Sequence, residues 1–426
     1  MIVTGILILM AVLFLMGVPV AFTLGISGAV GLWLVGGEGA LIGLMATAPY
    51  RTTASWLLTA IPLFVLMAEL LASSRITTLL FNTANKWVAH FPGGLAIAGI
   101  FTAAGLGAVS GSSTASTAAM SQSVTPELIR HGYSPRLAVG TIASAGTLAV
   151  MIPPSIILVI YGILTESSIG LLFVAGIVPG LLSVVFYVAT VVIYVKRNPG
   201  EAPPAQRYGW GERIAGLKDI WPMMILFVLV IGGLYTGIVT VTESAGIGAF
   251  GALLLAIWFQ RGRSFAALWE ALRRTVATVA MIFAIVIGAH IFGYFMTLTG
   301  APQHLLHLVD GLDMEPWTII LILLVIYVIL GCFMDQLAIL VLTVPIVLPM
   351  VERLGYDAIW FGIILVKTVE IGLMTPPLGM NCFVASAISR LSIGEVFRGT
   401  IPFVIAELVI LTLLATVPGL VTWVIY

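Results

Sequence analysis

A chain of 426 residues that is 60% hydrophobic and only 8% charged is not a soluble domain, because soluble domains carry about a quarter charged residues. Its formal net charge of zero gives no basic footprint for nucleic acid. The two cysteines, Cys332 and Cys382, both fall in apolar segments without CxxC spacing, which argues against a structural disulfide and a thiolate metal site.

Apolar runs set the predicted elements. In chain order, spans fall at about 2–17, 19–36, 55–73, 137–163 and 171–195. A second series falls at about 225–240, 243–260, 275–297, 357–385 and 401–425. Runs such as "IVTGILILMAVLFLMG" approach the length of about 20 residues that a bilayer core demands. The first run lacks a basic n-region and another span follows at once, so it does not read as a signal peptide. Between the third and fourth span of each series lies a stretch, about 93–130 or 316–351, too long for one crossing and too broken for two good ones. Both read as re-entrant hairpins.

The chain repeats itself at an offset of 223: "MIPPS" at 151–155 aligns with "MTPPL" at 374–378, so Pro153 and Pro154 fall on Pro376 and Pro377. Gly25 and Gly28 fall on Gly248 and Gly251, and "SIGLLFVAGIVP" resembles "SIGEVFRGTIP" after a one-residue slip. The expected organisation is a first repeat over 1–195, a linker over 196–220 and a second repeat over 221–426. Five crossings per repeat is an odd number, so the second repeat is inverted. The predicted fold class is an all-α polytopic membrane protein of two inverted repeats, each with a re-entrant helical hairpin.

This topology puts fifteen of the eighteen basic residues on one side, among them Arg75, Lys86, Arg130, Arg136, Arg261, Arg263, Arg273, Arg274, Arg390, Arg398 and the linker's five. That side is then cytoplasmic, and both termini are external. Arg51, Arg353 and the intramembrane Lys367 are the exceptions.

The first hairpin carries "AAGLGAVSGSSTASTAAMS", residues 103–121, where hydroxyls and glycines crowd into an otherwise apolar chain. Non-helical backbone at mid-membrane is tolerated only against protein or a wet cavity. A half-helix ending near Ser110 points carbonyls at the tip, and another starting near Ser113 points N–H groups there, so the tip suits a cation and an anion without a full charge. By the offset, the second tip is "FMDQ", with the intramembrane carboxylate Asp335. Each double proline removes two N–H donors and breaks its span. Thr375 and Asn381 sit at the level of the second break. Two tips facing two broken helices match a midplane transport site. Competing readings exist: Gly107–Gly111 also fits a helix-packing face. Glu69, Lys367 and Glu370 also fit a structural ion-pair set, the favoured reading for Glu69. Lys367 can pair with Glu370 or Asp335, or reach the interface. Glu166 and Glu243 read as interfacial. His304 and His307 can share a helix face but lack a carboxylate partner at ligand spacing.

At these motifs the chain resembles the large membrane subunit of the tripartite ATP-independent periplasmic (TRAP) transporters. The resemblance rests on "GAVSGSSTASTAAM", "MIPPSIILVIYGILTESSIGLLFVAGIVPG", "VTESAGIGA", "EIGLMTPPLGMNCFVAS" and "SIGEVFRGTIPF", and covers essentially the whole chain. It implies an elevator-type secondary importer of the bacterial inner membrane, with a transport domain moving against a scaffold and transport driven by sodium. It implies two or more coupling sodium ions, a periplasmic substrate-binding protein that delivers a small organic acid anion, and a small four-span membrane subunit, expected here on a separate polypeptide. Carried over, one sodium site uses Ser110, Gly111, Ser144, Gly146, Thr147 and Pro153. The other uses Gly331, Asp335, Glu370, Gly372 and Thr375. Ser112, Ser113, Thr114, Thr375 and Asn381 are the expected substrate contacts. Three other classes remain in view. The membrane subunit of an ATP-driven importer would need a coupling helix. An intramembrane enzyme would need His290 or Lys367 as base to Ser112 or Ser113. A proton-coupled carboxylate transporter or antiporter of related fold would use Asp335 and Glu370 as proton carriers.

Overall fold

The computed structural model describes the chain except residues 73, 75, 261–263, 302, 305, 307–310, 312, 313 and 426. Arg75, Arg261, Arg263 and His307 therefore lie outside the described residues. The described residues form helices without strands. Eight helices are long and apolar enough to cross a membrane, and ten if each of two bent pairs counts as one crossing, so the chain is a multi-pass membrane protein.

The first half runs α1 (Ile2–Leu15), α2 (Val20–Thr53), α3 (Ala60–Ala72), α4 (Ile76–Val88), α5 (Gly94–Ser110), α6 (Ser113–Ser123), α7 (Thr125–Arg130), α8 (Pro135–Ala145), α9 (Leu148–Met151), α10 (Ile156–Leu164) and α11 (Ile169–Arg197). The second runs α12 (Trp210–Phe227), a π turn, α13 (Gly233–Tyr235), α14 (Val241–Gln260), α15 (Ser264–Leu298), α16 (Pro316–Phe333), α17 (Gln336–Arg353), α18 (Ala358–Leu373), α19 (Met380–Ser389), α20 (Ile393–Thr416) and α21 (Gly419–Thr422).

Several helices outrun the hydropathy pattern. The helix expected to end at 36 runs on to Thr53, kinked where Gly37 takes φ 71°. α15 begins at Ser264, eleven residues before its expected start, with a polar first stretch held by Glu270 accepting from Arg274 at 2.9 Å one turn on. Half the linker is helical too, because α12 starts at Trp210. Polar helical turns escape a search for apolar runs.

The arms of the two hairpin regions differ. The 11 residues of α6 rise about 16 Å, short of the roughly 30 Å of a hydrocarbon core. By contrast α16 and α17 have 18 residues each and pass the length and composition test for crossing.

Close backbone approaches bring the pieces together. A methyl added at Gly28 would lie 2.6 Å from the Phe292 nitrogen, so α2 and α15 pack backbone to backbone. Gly107, half of the small-residue pair noted in the sequence, would put a Cβ 2.6 Å from the Ala149 Cα. α2, α3, α14 and α15 pack among themselves, beside the two hairpin regions and their broken helices.

Candidate functional site

The first tip is the two-residue turn Gly111–Ser112. α5 stops because Gly111 takes φ +57°, a left-handed conformation that glycine adopts at no steric cost. A Cβ there would lie 2.7 Å from the Pro154 carbonyl oxygen and 3.0 Å from the Ile156 nitrogen. The turn is thus pressed onto the double-proline break between α9 and α10. Ser112 then caps α6, its Oγ accepting from the Ala115 N–H at 3.4 Å. Both double prolines contain a cis peptide bond.

The second tip is Met334–Asp335. Asp335 caps α17, with Oδ2 accepting from the Leu337 N–H at 3.1 Å. Behind this tip Gly331 packs on α18, where a Cβ would lie 2.8 Å from the Val369 oxygen.

Glu370, fully buried on α18 just before the second break, serves both tips. Its Oε2 accepts from the Ser113 hydroxyl at 3.1 Å. Its Oε1 accepts from the Gln336 side-chain amide. Asn381, at the start of α19, donates to Ser113 Oγ at 2.6 Å. The two hairpin regions and the second broken helix therefore meet at one carboxylate.

In front of this hub lies a cavity of 360 Å³. Residues 110–115 of the first tip and Asp335 and Gln336 of the second form one side. Val65, Ala68 and Glu69 of α3 with Thr278, Met281 and Ile282 of α15 form the other. Among the described residues its only ionisable side chains are the carboxylates Glu69 and Asp335, and none of its lining residues is Lys or Arg.

Some of the residues singled out in the sequence line this cavity and others do not. Ser110, Gly111, Ser112, Ser113, Thr114 and Asp335 line the cavity, while Thr375 and Asn381 do not. Thr375 turns its hydroxyl to its own helix, donating to the Ile371 oxygen at 2.6 Å. Asn381 reaches the site only through Ser113, and its Oδ1 is buried without a partner. Glu69, read as structural, faces the cavity. Pro153 and Pro154 are buried under the first tip, whereas Pro376 and Pro377 are exposed.

The proposed cation positions can be tested against their oxygens. The hydroxyls of Ser110, Ser144 and Thr117 are buried without a partner, and Thr117 Oγ1 sits against Gly146. Such orphaned oxygens are what a hard cation takes. Thr147 offers no free hydroxyl, because it donates to the Ser144 oxygen at 2.7 Å and bonds Tyr187 at 3.1 Å. Gly331 and Gly372 lie against each other behind the second tip. Among the described residues no three His, Cys, Asp or Glu side chains cluster to hold a metal.

Lys367 pairs with neither Glu370 nor Asp335, and does not reach the interface. Its Nζ lies 2.6 Å from Glu407 on α20 and donates to Ser183 on α11 at 2.6 Å. Both charges are buried, at 1% and 0% exposure, so each needs the other. Sequence reading missed Glu407. The available signal was an acid deep in an apolar span, matching an unexplained lysine in another.

Interrupted helices whose two tips close on one small cavity, in a chain with eight to ten apolar crossings, define a membrane transporter. Residues 7–420 match the family described as "Tripartite ATP-independent periplasmic transporter, DctM component", and the chain belongs to that family. It is 33% identical over 397 residues to the C4-dicarboxylate TRAP transporter large permease protein DctM of Pseudomonas aeruginosa, covering 93% of this chain and 92% of the relative. It is 31% identical to the 2,3-diketo-L-gulonate TRAP transporter large permease protein YiaN of Escherichia coli, covering 95% and 94%. It is 33% identical to the isethionate TRAP transporter permease protein DctMQ of Oleidesulfovibrio alaskensis, covering 96% of this chain and 64% of that longer protein. The solved YdaH transporter of Alcanivorax borkumensis shares the fold, with a TM-score of 0.58 at 14% identity over 89% of this chain and 87% of that one. The chain is a transporter permease and not an enzyme.

Proposed function

We propose that this chain is the large permease subunit of a sodium-coupled importer of small organic acid anions, of the C4-dicarboxylate or related class. A periplasmic binding protein delivers the anion, and a small four-span subunit on a separate chain supports the scaffold. The protein sits in the bacterial inner membrane, with the basic linker side cytoplasmic and both termini periplasmic.

The observation that carries this reading is the charge of the cavity. Its 360 Å³ falls in the range of about 300–1,000 Å³ typical of small-ligand sites. Among the described residues it holds two carboxylates and no Lys or Arg. An anion entering such a cavity meets like charge, so cations must enter with it. Sodium at the orphaned oxygens of Ser110 and Ser144, and at the second tip beside Asp335 and Glu370, supplies that positive charge. Substrate then binds only to the sodium-loaded site, which couples the two fluxes. Ser112, Ser113 and Thr114 hold the substrate through hydroxyls and the N–H groups that begin α6. Alternating access follows an elevator, in which the hairpins and broken helices slide along the wall of α2, α3, α14 and α15.

Protons on Asp335 and Glu69 would neutralise the cavity equally well, and the experiment separates the two. Proteoliposomes holding this chain and its small subunit, with binding protein outside, take up labelled succinate under an imposed gradient. Uptake that requires both an inward sodium gradient and the binding protein is expected. Uptake driven by a proton gradient and indifferent to sodium would sink the coupling assignment.

A further inference from the structure

A second cavity, of 1330 Å³, lies further along helices that also line the first. Helices α10, α15 and α17 contribute to both cavities, at different levels. On α15, Thr278–Ile282 line the small cavity and residues from Ala289 to Thr297 the large one. Seven residues of helix separate Ile282 from Ala289, a rise of roughly 10 Å. On α10, Ile156 and Ile157 line the small cavity, and Gly162–Leu164 the large one. The two cavities therefore sit at different levels along the same helices.

We propose that the large cavity is a receiving site for the organic acid anion, and that Arg51 is the residue that binds its acid group. The identity of the ligand rests on the function proposed above; the cavity and its charges do not. Arg51 is one of the three basic residues that the sequence pattern leaves off the basic side. It stands in the last turn of α2 and lines the large cavity. Among the described residues it has no ion-pair partner within 4.0 Å. A guanidinium without a protein carboxylate is free to take one from a ligand, in its two-bonded geometry.

The surroundings favour that use. Thr52, next in the chain, is buried and bonds His290 Nδ1 at 2.8 Å, which fixes the helix end that carries Arg51 to α15. Ser168, capping the 29-residue α11, lines the cavity, as does the start of α14 at Val241. Both helix starts add positive potential to the guanidinium. Two acids are near. Glu243 is occupied, accepting from the Thr240 N–H and hydroxyl at 2.8 Å each. Glu166 lines the cavity and does not pair with Arg51. The volume exceeds the roughly 300–1,000 Å³ of a closely fitted ligand site. Loose fit and one strong contact suit a place where an anion pauses before it enters the acid-lined site.

The test needs no transport assay. Ser55 lines the large cavity close to Arg51 and makes no side-chain cap, so Ser55→Cys is a reporter. Both native cysteines are buried and give a quiet background. The purified chain with its small subunit is labelled with an anionic sulfonate thiol reagent, with and without millimolar succinate or isethionate, against chloride at equal ionic strength. At least one of these acids, at about twice a millimolar Kd, is expected to slow labelling roughly threefold. Arg51→Gln is expected to abolish the protection and Glu166→Gln to keep it. Arg51 is exposed, so its replacement leaves the fold intact; Arg51→Met is a second variant expected to behave alike. No protection by either acid, or protection that survives both Arg51 variants, would overturn the proposal. So would protection that appears only in phosphatidylglycerol vesicles, which would assign the cavity to a lipid headgroup. If sodium-driven uptake fails while acid protection persists, the proposed function falls and this site stands; the reverse result removes this site alone.

Discussion

The two double-proline breaks share a motif and an offset, yet they are fixed by different forces. The first lies in a stretch, Leu137–Leu164, without one charged residue. Pro153, Pro154 and Ser155 are buried, and the left-handed turn at Gly111 is pressed onto them. The second lies in a stretch that carries Lys367 and Glu370. There Pro376 and Pro377 are exposed, and the helix before them is tied by one buried ion pair and one doubly bonded carboxylate. Close packing resists small additions of volume, whereas polar ties resist loss of a partner. The same local chain break therefore tolerates opposite kinds of change in the two halves.

The largest expected effect tests the polar side. Lys367→Met leaves Glu407 as an unpaired buried charge and should cost about 3–5 kcal/mol of stability. Adding Glu407→Leu should recover most of that loss, which thermal unfolding of the purified variants can follow. A double variant no better than Lys367→Met would show that the pair does not act as a unit. Next comes the packed side. Gly111→Ala forces a side chain into a left-handed conformation and against Pro154, at about 1–3 kcal/mol for the backbone alone. Gly379→Ala beside the second break, at φ +51°, meets the Phe397 ring edge at 2.8 Å, a side chain that can move, and backbone no nearer than the Thr375 oxygen at 3.0 Å. It should destabilise less, and an equal loss would erase the contrast. Glu370→Gln keeps the shape but removes the charge from two hydrogen bonds, about 1.5–3 kcal/mol in all. Its clearest readout is a steeper sodium requirement for uptake, and an unchanged sodium curve would count against Glu370 at a cation site. Smallest is Thr375→Val, which removes one bond within a helix turn and should change stability by about 1 kcal/mol or less, leaving the KM for substrate unchanged.

What could be read from residues alone follows the same division. The hydroxyl-rich tip was legible because so many hydroxyls are costly to bury in an apolar chain unless they are answered, and both prolines announce a break by chemistry. Asp335 was legible as a carboxylate where charge is costly. Partners were not. Gln336 meets Glu370 across 34 residues of chain, and Lys367 meets Glu407 across another helix, because periodicity gives faces but not neighbours. The bond of Thr375 to the Ile371 oxygen was not legible either, because a threonine hydroxyl can satisfy itself on its own helix. Polar helical turns such as Trp269–Arg274 were passed over because their stabilising pair, Glu270 and Arg274, is local and hydrophilic.

The bond from Ser113 to Glu370 spans 257 residues, and that from Asn381 spans 268. A ribosome adding about 5–20 residues per second needs roughly 13–50 s to bridge the first interval. For that time the first hairpin is in the bilayer with its hydroxyls unanswered. The site is thus completed by the last quarter of the chain, and a nascent chain halted at the linker presents a polar tip to quality-control proteases. Loss of the distal half should therefore read out as rapid degradation of the proximal one.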